Sequence, residues 1–154
     1  MNKYFLPMAA FLCALIAFPL YSRAQTDSQL TELREQLRKA GVEPFIRDLA
    51  SATKGRIGSL PQPAPNMIVD DVIAQGRSLI TIWKITDQLA SEIDPSTDFN
   101  ALKKHSVKTV CAQKVRGMLV NEFGATINTR VVDKVGKLIY EVKIDKSACD
   151  NFRG

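Results

Sequence analysis

Histidine is nearly absent from this sequence: there is one, His105, in 154 residues. A catalytic dyad or triad needs a nucleophile, a base and an orienting group brought together. His105 stands beside Lys103 and Lys104 on an expected helix face, where a solvated residue is sufficient explanation. A zinc site built from one His and a pair of Cys lacks ligands. A glycine-rich phosphate loop is also missing, as is the oxygen-ligand pattern of a calcium loop. The carboxylates Asp70 and Asp71 are adjacent on an expected strand, so alternation predicts that they point to opposite faces. Asp94 and Asp98 read as helix caps. The sequence therefore yields no catalytic, cofactor-binding or metal-binding residues.

Beyond residue 24 no apolar run could span a bilayer, which needs about 20 residues. The long apolar run comes earlier, from Tyr4 to Leu20, after a single positive charge at Lys3. Ser22 and Ala24 are small residues at the spacing a signal peptidase uses, and this order predicts a signal peptide over residues 1–24. Its removal takes away Lys3, Arg23 and no acid, so the formal charge falls from +5 to +3. The basic residues are spread along the chain and interleaved with acids, unlike the basic face of a nucleic-acid binder. The expected location is the periplasm or the medium, without stable membrane insertion after cleavage.

Of three cysteines, Cys13 falls in the signal, leaving Cys111 and Cys149. An even count in an exported chain predicts a disulfide between them. Closing a loop of this size contributes roughly 4 kcal/mol in the chain-entropy account.

What remains suits one α+β unit. Residues 25–59 form an N-terminal helical segment. One helix starts at Thr26 or Asp27, carries Leu30, Leu33 and Leu37, and stops at Gly41; a second runs from Pro44 to about Thr53. The leucine stripe is expected to dock on the chain's own open sheet face, with a partner helix as the sharper alternative. Lys54 to Pro65 is an extended connector. Residues 60–154 form the main domain. Met67–Ala74 and Ser78–Thr86 read as a hairpin, with Leu79, Thr81, Trp83 and Ile85 on one face of the second strand and Ile80 and Ile82 on the other. A single long helix follows Asp94-Pro95 and runs to Gly124, with Gly117 as a weak point. Thr126–Asp133 and Leu138–Ile144 form a second hairpin, Leu138, Tyr140, Val142 and Ile144 facing inward. The expected architecture is a four-stranded antiparallel sheet in the order ββαββ, covered on one face by that helix.

Leu60-Pro61, the hairpin through Trp83, the helix carrying Cys111 and the ending from Gly136 to Cys149 resemble small exported bacterial proteins of uncharacterised function over residues 60–149. The resemblance implies the fold and the disulfide and brings no activity with it.

Gln113-Lys114-Val115-Arg116-Gly117 matches Q-x-V-x-G, a protease-inhibitor wedge found at hairpin tips, but here it continues a helical stripe. The sequence favours a non-enzymatic exported module that binds another protein of the cell envelope, without cofactor. An envelope hydrolase or a protease inhibitor is the alternative.

Overall fold

Two short hairpins and five helices share one core, in a computed structural model that describes residues 27–60 and 65–153. The expected signal peptide and residues 61–64 of the connector lie outside the described residues. Helix α1 spans Asp27–Ala40 and α2 spans Val42–Lys54. Gly41 between them has φ 85°, a backbone that favours glycine. Strands β1 (Met67–Gln75) and β2 (Ser78–Ile85) form the first hairpin; α3 (Phe99–Ala112) and α4 (Lys114–Phe123) follow. Strands β3 (Thr126–Val132) and β4 (Leu138–Ile144) form the second hairpin, and α5 (Lys146–Arg153) ends the described chain.

The sheet has the order β1-β2-β3-β4. Both hairpins are antiparallel, but β2 and β3 are parallel, from Ser78↔Thr126 to Lys84↔Val132. This corrects the expected antiparallel sheet. The two helices carry the chain from the end of β2 back to the level of its start, and such a crossover sets the next strand parallel.

The expected single long helix is also corrected. Gln113 adopts φ −75° and ψ 130°, an extended conformation that breaks the run into α3 and α4. The two helices meet closely: a Cβ on Gly117 would lie 2.9 Å from the Cys111 carbonyl oxygen. Glycine is needed there for approach, and the amide of Gly117 donates to the Gln113 carbonyl at 2.7 Å. The Q-x-V-x-G match thus falls on a helix break and the start of α4.

All helices pack on one face of the sheet. Val69, Trp83, Val131 and Tyr140 lie side by side across the four strands and join Leu33, Leu37, Ile46 and Leu119 from the helices in one core. Trp83 is buried at the centre. The stripe on α1 docks on α2 and α4, not on an open sheet face as expected. Leu33 and Leu37 enter the core, and Arg34 donates to Glu122 through Nε and Nη2 at 2.7 and 2.8 Å.

Two bulges alter the expected alternation. In β1, Val69 pairs with Trp83 and Asp71 with Ile82, so Asp70 is extra. Val69 and Val72 are both buried, and Asp70 and Asp71 both lie away from the core, contrary to the expected opposite faces. In β4, Val131 pairs with Tyr140 and Val132 with Leu138, so Ile139 is extra. Ile139 packs against the core, while Leu138, expected inward, is 49% exposed. A bulge inserts one residue and shifts every side chain beyond it by one face.

Cys111 and Cys149 are bonded, with Cα atoms 5.5 Å apart. The bond joins the last turn of α3 to α5, a helix beyond the expected elements. Asp145 starts α5 by accepting from the Ala148 amide at 3.1 Å.

Candidate functional site

The strand residues that point away from the helices form three cross-strand rows. They are Ile73–Ile80–Asn128–Lys143, Asp71–Ile82–Arg130–Glu141, and Ile68–Lys84–Val132–Leu138. The helix residues of the core pack with the strand residues of the other face. Ile80 is buried yet stands outside the helix-side core, and Ile73 and Leu138 are exposed large apolar residues at opposite edges. The second face expected for Ile80 and Ile82 is therefore this one: an apolar diagonal from Ile73 through Ile80 and Ile82 to Val132 and Leu138. Leu138 belongs to it only because of the β4 bulge.

Polar groups frame the diagonal and hold one another. Glu141 Oε1 accepts from Arg130 Nε at 2.7 Å and from Asn128 Nδ2 at 2.9 Å. These bonds, Arg130 first, hold the Glu141 carboxyl below the usual range. Asn128 is itself buried, and its Oδ1 has no partner among the described residues. Asp71 lies 2.8 Å from Lys54 Nζ and accepts from the Val72 amide at 2.8 Å. Lys54, then the amide, pull the Asp71 carboxyl down.

Such a face offers apolar area to bury and fixed charges to orient a partner. Antiparallel sheets commonly leave one face to water, but that face is then polar at alternate positions. Here Ile68, Ile73, Ile80, Ile82, Val132 and Leu138 take half of the positions in the three rows, and the other half are polar.

Elsewhere, His105 lies half-buried on α3. Among the described residues no three His, Cys, Asp or Glu side chains gather as a metal site. Asp98 caps α3, accepting from the Ala101 amide at 3.0 Å, and Asp94 Oδ1 accepts from the amide and hydroxyl of Ser96 at 2.8 and 2.7 Å. No helix of the described residues is long and apolar enough to cross a membrane.

No protein-family model and no curated protein sequence matches the chain. Solved structures do share its fold. A Pseudomonas aeruginosa protein inferred to be secreted superposes with a TM-score of 0.58 at 13% identity, covering 70% of this chain and 92% of its own. The type II secretion system pilotin AspS of Vibrio cholerae has a TM-score of 0.50 at 18% identity, covering 76% and 98%. The type 2 secretion system pilotin EpsS of Vibrio vulnificus has a TM-score of 0.50 at 18% identity, covering 71% and 96%. At these identities the likeness is one of fold.

Proposed function

We propose that the chain is an exported, non-enzymatic protein-interaction module that docks a protein of the cell envelope on the helix-free face of its sheet. The observation that carries this reading is the apolar diagonal from Ile73 to Leu138, exposed at both ends and turned away from the helix-side core. Exposed apolar residues framed by charge are a usual mark of an interaction surface. Export rests on the signal-like residues 1–24. The fold shared with two pilotins of type II secretion systems favours a partner that belongs to a secretion assembly.

The test is affinity capture of the mature chain from envelope extract, run beside two variants. Ile73→Glu and Leu138→Glu each place a charge on the diagonal at an exposed position and should leave the fold intact by circular dichroism. A protein retained by wild type and by Lys39→Glu, a control on α1, and lost with both diagonal variants is the expected result. Retention that is indifferent to both diagonal variants, or no retained protein, overturns the proposal.

A further inference from the structure

The two edges of the sheet are treated differently. At β1 the edge is blunted: the Asp70 bulge interrupts it, Asp71 occupies the Val72 amide with its own side chain, and Lys54 reaches across to Asp71. Bulges and charges of this kind block pairing by another chain. β4 has its own bulge, at Ile139 near its start, but its pairing is regular from Tyr140 to Ile144. Among the described residues, Leu138–Ile144 makes no main-chain hydrogen bond except to β3. Every second residue of β4 therefore directs its N–H and C=O groups outward, unpaired.

Helix α3 runs along this edge. Its first residue, Phe99, stacks on Tyr140 with ring centroids 5.2 Å apart, and its last turn is tied through Cys111 to Cys149 just past β4. Helix α4 packs on β3, on the inner side. Helix α3 carries Lys103, Lys104 and Lys108, all exposed and none in an ion pair among the described residues. From Phe99 to Asn121 the chain holds no acid and five cations, so the even mixing of charge expected from the whole sequence fails along α3 and α4. Lys143 on β4 adds a further exposed cation.

We propose that the β4 edge accepts an extended, acidic segment of a partner protein by strand addition. Main-chain bonds along β4 would hold the segment, and the α3 lysines would select its charge. The same lysines argue against a second copy of this chain, because pairing β4 with β4 would bring two like-charged flanks together. The inference rests on the protein-binding reading but concerns another surface. Leu138 belongs to both surfaces, so the Ile73 variant is the one that separates the two readings.

The test uses isotope-labelled mature protein and two capped octapeptides, one alternating valine with glutamate and the other valine with lysine. The valine–glutamate peptide should shift amide resonances of Leu138–Ile144 saturably and slow the hydrogen exchange of alternate β4 amides. Its affinity should fall about tenfold in the variant Lys103→Glu/Lys104→Glu/Lys108→Glu, whose exposed positions spare the fold. The valine–lysine peptide should leave β4 unmoved. Absence of saturable shifts in β4, equal response to both peptides, or shifts on α3 without slowed exchange in β4 overturns the proposal. So does protection of β4 that rises with protein concentration before any peptide is added, which would assign the edge to a second copy.

Discussion

The ring of Phe99 lies on that of Tyr140, 16° from parallel, so that the first turn of α3 closes over β4. The Tyr140 hydroxyl is buried there without a partner among the described residues, and burial pushes its pKa up to about 12. The folded state therefore holds the phenol proton more tightly than the unfolded chain does. Stability is at its full value below the ordinary tyrosine pKa of about 10 and declines as pH rises towards 12. Of three tyrosines, Tyr4 and Tyr21 precede the expected cleavage point, so tyrosinate absorbance of mature protein reports Tyr140 alone. Its titration midpoint should lie well above that of free tyrosine and merge with alkaline unfolding. A midpoint near 10 in folded protein contradicts the burial.

At its other end α3 is held by the disulfide, which closes a separation of 38 residues. Cys111→Ser or Cys149→Ser should each destabilise by roughly 2–5 kcal/mol in urea unfolding. The double variant should be little worse than either single, since one bond is lost in every case. Thiol quantification on unfolded, unreduced mature protein should find no free thiol.

Between those anchors lies the contact of Gly117 with the Cys111 carbonyl. Alanine normally favours a helix interior over glycine by about 1 kcal/mol. At Gly117 the added Cβ would meet a backbone oxygen at 2.9 Å, and neither helix can yield without moving the disulfide or the Gln113 break. Gly117→Ala should therefore destabilise, by roughly 1–3 kcal/mol as overpacking does, and the sign reverses the helix-propensity expectation. Thermal unfolding checks it: a raised Tm would show that the helices separate freely.

Most local structure was legible in the sequence, and most of the errors arose where structure is non-local. Strand β4 was read at Leu138–Ile144 and found there, and β1, β2 and β3 differ from expectation by a single residue at one end, because alternation and turn glycines are local signals. Parallel pairing of β2 with β3 depends on where two helices deliver the chain, which periodicity does not encode. The Gln113 break left no trace because the apolar spacing continues through it. The bulges at Asp70 and Ile139 are pairing events between strands, so the exposure of Leu138, and with it the full apolar diagonal, was hidden. The face itself was half visible: Ile80 and Ile82 had been set apart from Trp83 as a second buried side. Helix α5 has its local signal in Asp145, whose side chain caps it three residues before Ala148.

Export makes a separate prediction. Cleavage after Ala24 should give mature protein whose intact mass begins at Gln25, with or without cyclisation of that glutamine. Full-length chain recovered with membranes would refute cleavage there and place the protein among anchored ones.

Asp133 ties the second hairpin to the loop before α3. Its Oδ1 accepts from the amides of Val135 and Lys137 at 3.0 and 2.8 Å, and its Oδ2 from the Ala90 amide at 3.0 Å. Burial acts to raise the pKa of this carboxyl, but the three amides outweigh it and the group sits below the usual aspartate range. A carboxyl with a depressed folded-state pKa contributes stability above its unfolded pKa of about 4 and loses it as pH falls through the folded value. Asp133→Asn would turn an amide nitrogen towards one of these donors and leave it unbonded, so Tm should drop by several degrees near neutral pH. The gap between wild type and variant should hold constant down to about pH 4 and close below it, as wild type takes up the proton that the variant cannot. Thermal scans of both proteins across that range decide the point. A gap that persists unchanged at the acid end would mean that Asp133 stabilises by shape and not by its charge.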